Sequence, residues 1–193
     1  SSSESGLRSP QYRYEFYRTA IGRKLYVLTN SYWKDPNEVE NYFNKCVLYG
    51  LFGANVRHYG AMTKGGKVEP YYPEIYKRDK HLYDWFVPKV RLLHRAGWQP
   101  VTYAKVDGEK VFIERYGSGD TIYLAVMSES QEQQESVLTI DFDSLGFKSA
   151  DYPHDFLIDE IAQSQPIDFM ADSQVRLTLE PFRTCIIAIR RAG

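Results

Sequence analysis

The feature that most constrains the fold of this chain is a change of texture near Gly97–Pro100. Before it, strand-like and helix-like stretches alternate. After it, short runs rich in Val, Ile, Thr and aromatics follow one another, with turn signals between them. Strand–helix alternation implies parallel pairing, because a helix must return the chain before the next strand can start in the same direction. Short strands joined by tight turns imply antiparallel pairing. Two architectures therefore share one chain, with the boundary expected between residues 98 and 99.

In the first half, "SPQYRYEFYRTAIG" reads as a helix, with Ser9 as N-cap, Pro10 at the first helical position and Gly22 as the stop. The strand "KLYVLTN" follows. "DPNEVENYFNKCVLYGLFG" is a second helix capped by Asp35, started by Pro36 and ended by Gly50 or Gly53. Its Val39, Tyr42, Phe43, Cys46, Val47 and Gly50 fall on one face. "ANVRHY" (54–59) reads as a short strand, and the stretch with Gly65-Gly66 and Tyr71-Tyr72-Pro73 as a loop. "YKRDKHLYDWFVPKVRLLHRAG" is a third helix with apolar positions Leu82, Trp85, Phe86, Val90 and Leu93, which Pro88 should kink or split. The β/α step is roughly 25–30 residues, close to the roughly 30 of a (β/α)8 barrel unit. Three strands cannot close a barrel. The segment is either the last units of a barrel whose first part is absent here, or a small open α/β layer.

The second half offers "PVTYAKV", "KVFIERYG", "DTIYLAVMS", "ESVLTIDF", "DFLIDEIA", "QVRLTLEP" and "RTCIIAIRR". Turn signals at Asp107-Gly108, Ser118-Gly119-Asp120, Leu145-Gly146 and Asp172-Ser173 separate them. So many short strands in about 90 residues fit an antiparallel β-sandwich. The polar run Ser128–Ser136 reads as a solvated loop or hairpin tip.

Charge and cysteine usage exclude several functions. The formal net charge is −1, with Lys and Arg scattered, which argues against a surface that tracks nucleic-acid phosphates. No apolar stretch reaches the roughly 18–20 residues that span a bilayer. Cys46 and Cys185 lie far apart without metal-ligand spacing, so two free buried thiols are expected, with no metal and no cofactor. The start "SSSESGLRSP" has no initiator Met and reads as the middle of a longer protein. Its lack of a signal peptide does not exclude secretion of the parent. Aromatics reach 15%, including 16 Tyr. Tyrosine builds cores with a polar tip, and it also builds sugar clefts, where a ring packs on the apolar face of a pyranose.

Parallel β/α architectures bind ligands outside the carboxyl ends of their strands. Three places meet that rule. Glu4, in "SESG", is a candidate carboxylate for glycoside chemistry, which needs two flanking the scissile bond. Asn30, Ser31, Tyr32 and Trp33 follow the second strand. There Asn30 and Trp33 either hold a sugar ring or cap the next helix and top the core. Arg57, His58 and Tyr59 follow the third strand, with Tyr71 and Tyr72 in the next loop. Arg57 suits a hydroxyl or a carboxylate, and a lone His58 is more often structural. "KGGK" at 64–67 lacks the phosphate-loop pattern.

Taken together, "LYVLTNSYW", "YFNKCVLYGLFG", "YPEIYKRDKHLYDWFVPKVRLLHRAGWQPVTYA" and "VFIERYG" resemble the end of a glycoside hydrolase barrel passing into its C-terminal β-sandwich, as in the retaining α-galactosidase-like enzymes. The resemblance covers nearly the whole chain at the level of architecture. It places an Arg-Asp pair, here Arg78-Asp79, on the last barrel helix and the start of the sandwich at "ERYG". It implies the fold class α/β plus all-β: final units of an incomplete TIM-type barrel over 1–98, then an antiparallel β-sandwich over 99–193. It also implies a carbohydrate-active enzyme acting on an oligosaccharide or glycoside. Glu4 is then the catalytic carboxylate, and Asn30, Trp33, Arg57, His58, Tyr59, Tyr71 and Tyr72 bind substrate. The second carboxylate would come from a missing N-terminal barrel segment or another chain, so the isolated chain is expected to be inactive. The competing expectation is a non-catalytic carbohydrate-binding or structural module.

Overall fold

The computed structural model describes residues 11–22, 24, 27–30, 35–55, 61–64, 67–70, 73–147, 156–160, 167–170 and 173–191. The chain divides into two compact units, Ser1–Arg91 and Leu92–Gly193.

The first unit opens with helix α1 (Gln11–Ile21), which stops at Gly22 as the sequence requires. Gly22 takes φ +59°, a left-handed conformation that costs glycine little, and its N–H closes on the Arg18 carbonyl at 2.9 Å. Strand β1 (Val27–Asn30) follows. Helix α2 (Pro36–Leu48) is capped by Asp35, whose carboxylate accepts the Asn37 N–H at 2.9 Å, with Pro36 in the first turn. All five apolar side chains expected on one face of α2 (Val39, Tyr42, Phe43, Cys46 and Val47) are buried, and so are Asn44, Lys45 and Leu48.

Strand β2 (Phe52–Asn55) begins two residues before the expected Ala54. The reason lies at the end of α2, where Gly50 turns the chain at φ +59°, Leu51 N–H closes on the Cys46 carbonyl at 2.8 Å, and Phe52 is free to start the strand. Residues 56–59 of the expected strand lie outside the described residues. β1 and β2 pair in parallel, from Val27 opposite Phe52 to Asn30 opposite Asn55, so α2 is the crossover of a βαβ unit. α2 and β2 approach closely at Gly53. A Cβ there would meet Cys46 Sγ and Tyr42 Cε1 at 3.0 Å and Phe43 Cδ1 at 3.1 Å.

The loop expected after β2 needs correction, and of the kink or split expected at Pro88 the split does not occur. The region after β2 holds a β-hairpin, β3 (Ala61–Lys64) with β4 (Lys67–Pro70), Lys64 opposite Lys67. The loop expected around Gly65-Gly66 is thus flanked by paired strands, and the two glycines themselves lie outside the described residues. Helix α3 (Pro73–Ala96) runs unbroken through Pro88. Pro88 is exposed, so the lost backbone bond faces water, and Lys89 Nζ donates to the Trp85 carbonyl at 3.1 Å beside it. Leu82, Phe86 and Val90 form the buried stripe of α3. Phe43 of α2 stacks on Phe86 at 4.7 Å between centroids and meets Tyr83 edge-on at 4.8 Å.

Arg18 ties these elements together. Only 2% exposed, its guanidinium donates to the carbonyls of Tyr49 (3.0 Å), Gly50 (3.4 Å), Lys24 (3.3 Å) and Gly22. Those carbonyls end α1 and α2, where helix dipoles favour a cation.

The second unit contains every strand anticipated after Pro100, together with two-residue strands that leave no periodic signal. A five-stranded antiparallel sheet has the order β10 (Phe156–Glu160), β13 (Thr184–Arg191), β8 (Thr121–Ser128), β7 (Val111–Tyr116), β5 (Trp98–Gln99). A four-stranded antiparallel sheet has the order β11 (Asp168–Phe169), β12 (Gln174–Leu179), β9 (Gln134–Ile140), β6 (Ala104–Val106). Both sheets contribute to one core: Ile122, Leu124, Ile187 and Ile189 from the first, Leu138, Ile140, Val175 and Leu177 from the second. Along β8, Ile122, Leu124 and Val126 enter this core, while Ala125 and Met127 are buried on the opposite face. The shared core therefore accounts for one face of a strand that is buried on both.

Two substitutions test this account by urea denaturation. Gly53→Ala forces two rings and a sulfur to move, and should cost about 1–3 kcal/mol. Arg18→Met leaves the carbonyls at two helix ends without their cationic donor, and should cost about 2–3 kcal/mol.

Candidate functional site

The residues expected to form the site fall mostly outside the described residues: Glu4, Trp33, Arg57, His58, Tyr59, Tyr71 and Tyr72. Asn30 is the last residue of β1, register partner of Asn55 at the end of β2. The parallel pair thus brings two asparagines side by side in register at its carboxyl end, where such sheets place ligands. Arg78 and Asp79, neighbours on α3, pair through two hydrogen bonds, Nε to Oδ1 at 2.5 Å and a terminal guanidinium nitrogen to Oδ2 at 2.7 Å. Asp79 is fully buried, so the pair neutralises a carboxylate that would otherwise be costly to bury. No group of three or more His, Cys, Asp and Glu among the described residues is arranged to hold a metal ion. No described helix is long and apolar enough to cross a membrane. Cys46 and Cys185 are free and buried, and burial pushes the Cys46 thiol far up from its ordinary value.

A cavity of about 480 Å³ lies wholly within the second unit. Its wall runs from Val101 through Thr102, Tyr103 and Lys105, and closes with Thr139 and Asp141. Its volume lies in the range of about 300–1,000 Å³ taken by small-molecule sites. The wall is held by backbone bonding: Asp141 N–H donates to the Tyr103 carbonyl at 2.8 Å, and Ile140 N–H to the Ser173 carbonyl at 2.9 Å. β6 is short and lies at the edge of its sheet, so the cavity opens beside a strand paired on one side only.

Tyr103 is the unusual residue of this wall. The sequence places it inside the strand "PVTYAKV", but the strand begins at Ala104 and Tyr103 stands at φ +51°. Side chains other than glycine rarely adopt that conformation, which costs on the order of 1–3 kcal/mol. Tyr103 is 39% exposed. Beneath it lies the guanidinium of Arg115 on β7, 4.9 Å from the ring centroid. Arg115 is 8% exposed, and its Nε has no hydrogen-bond partner. Burial lowers its affinity for its proton while the facing Tyr103 acts the other way. Val101 is also unusual for an aliphatic side chain, at 49% exposure.

Asp141 supplies the anionic edge. Its carboxylate accepts the Ser144 hydroxyl at 2.7 Å and the Ser144 N–H at 3.0 Å, and these bonds hold its pKa below the ordinary aspartate value. Sequence reasoning did not single out Tyr103, Arg115 or Asp141. A left-handed tyrosine has no sequence signature, and Asp141 reads as an ordinary strand end.

Compared with known proteins, the sequence matches no family profile and no curated protein. Its structure is similar to that of an α-amylase from Geobacillus thermoleovorans complexed with acarbose, at TM-score 0.54 and 12% identity, over 99% of this chain and 46% of that one. It is also matched to two structures of a GH27 β-L-arabinopyranosidase from Geobacillus stearothermophilus. The one in complex with arabinose gives TM-score 0.43 at 10% identity, over 95% of this chain and 48% of that one. The other gives 0.41 at 12% identity, over 94% and 47%. The chain spans about half the length of the solved structures it matches. These neighbours are glycoside hydrolases, and at such identity the α-amylase likeness speaks for the fold alone.

The turn at Asp141 has a pH signature. A depressed folded-state value means that its stabilisation is complete above the unfolded aspartate value of about 4 and fades as the pH falls below it. Tm measured against pH should therefore separate the wild type from Asp141→Asn above pH ~4, with the two curves converging in more acidic solution.

Proposed function

We propose that this chain is the C-terminal portion of a carbohydrate-active enzyme that hydrolyses O-glycosidic bonds. In this reading, residues 1–98 are the final β/α units of a (β/α)8-type catalytic domain, and residues 99–193 are an antiparallel β-sandwich domain. The observation that carries it is the likeness to the α-amylase over 99% of the chain. The parallel βαβ unit supports it, with Asn30 at the carboxyl end of β1. So does the pair of antiparallel sheets around one core.

The chemistry is two-carboxylate cleavage. Glu4 serves as general acid/base or contacts the substrate, and the second carboxylate comes from the part of the fold that this chain does not span. Asn30, Trp33, Arg57, His58 and Tyr59, with Tyr71 and Tyr72, line the sugar subsites. None of these except Glu4 exchanges protons with the glycosidic oxygen. Asn30 donates and accepts hydrogen bonds, and Trp33 presents a flat apolar face. The substrate class is an oligosaccharide or glycoside, as acarbose and arabinose are bound in the neighbours.

Glu4→Gln in the full-length protein is the direct test, assayed on chromogenic glycosides and glycans. A group in acid–base catalysis contributes roughly 10²–10⁴-fold, so a loss of that size is expected. A loss below about tenfold removes Glu4 from the reaction.

A further inference from the structure

We infer that the cavity at Tyr103 is a second saccharide-binding site, one that takes a neutral pyranose unit and is lined wholly by residues of the second unit. The argument starts from the ring. One face of Tyr103 rests on the Arg115 guanidinium, which fixes its orientation, and the exposed remainder lines the cavity. A buried cation beneath an aromatic ring is a costly way to build a surface, and so is a tyrosine at φ +51°. A core or solvent-facing role would be met more cheaply by Asn or Gly at that backbone position. What the arrangement achieves is a rigid ring presented to solvent beside exposed Val101.

The rest of the wall defines the ligand. It offers one cation (Lys105), one anion (Asp141) and, besides the Tyr103 phenol, two aliphatic hydroxyls (Thr102, Thr139). Thr102 Oγ1 donates to the Ala104 carbonyl at 3.0 Å, which leaves its oxygen as an acceptor. Asp141 is held by Ser144 in its ionised, acceptor-only form, and a carboxylate oxygen has further lone pairs for sugar hydroxyls. The balanced charges disfavour a phosphate-bearing ligand, which needs a surplus of donors and cations. The aromatic platform disfavours a purely polar one. A pyranose, apolar on one face and ringed with hydroxyls, meets both conditions.

The experiment is calorimetric titration of the full chain with soluble α-1,4-glucan, β-1,4-glucan, arabinan and galactomannan oligosaccharides up to about 10 mM, above the millimolar range in which weak subsites bind. At least one should bind. Tyr103→Asn, which suits the left-handed backbone, should weaken that binding at least about tenfold while Tm is held or raised. Thr139→Val, on an exposed strand position, should weaken it severalfold and provides the second reading if Tyr103→Asn fails to fold. The losses in Tyr103→Asn and Thr139→Val should appear whether or not hydrolysis is observed, which separates this site from the cleavage reading. The inference is overturned if none of the four saccharides binds, or if binding is indifferent to both wall substitutions.

Discussion

The guanidinium of Arg18 is the interaction on which the first unit turns. The chain must leave α1 to enter β1 and leave α2 to enter β2, and each exit strands carbonyls at a helix end. Arg18 collects them: Gly22 and Lys24 at the first exit, Tyr49 and Gly50 at the second. A planar cation with five donors does this where a lysine could not, because the acceptors approach from several directions. With both turns held, β1 and β2 start in register and end together at Asn30 and Asn55. The close approach of α2 at Gly53 completes this arrangement from the helical side.

The second unit also buries an arginine, and it does so differently. Arg115 lies under a tyrosine ring instead of against helix-end carbonyls. Arg18 lowers the free energy of the fold by satisfying backbone acceptors. Arg115 gains less from its surroundings and supports a ring in an unfavourable backbone conformation. Where natural proteins keep strain of this kind, function is the first explanation to test. The cavity beside that ring, with hydroxyls and a carboxylate in its wall, gives the strain a purpose.

Much of the architecture could be read from residue patterns. Asp35-Pro36 announced the start of α2, Gly22 the end of α1, and alternating aliphatics the long strands of the second unit. These signals are local, because caps, turns and periodicity depend on neighbours a few residues apart. Errors arose where a local rule met a nonlocal environment. Pro88 should disrupt a helix, yet its exposed position lets α3 continue. The pairing of residues 61–64 with 67–70 leaves no signal in the sequence because four-residue strands are too short to show a period. The strand expected over 54–59 begins at Phe52, because the residues just after Gly50 read equally well as a helix end.

By itself, the sequence determined the change of architecture near Gly97–Pro100, the order of the main helices and strands, and the absence of a metal-ligand cysteine pattern, all properties of short-range composition and spacing. Only the tertiary structure decided that Asn30 and Asn55 share a register and that Arg18 bridges two helix ends. It alone showed that Tyr103 stands in a left-handed conformation over Arg115. Each of these joins residues far apart in the chain or sets a dihedral angle imposed by packing, and neither is encoded in the identity of a residue and its immediate neighbours.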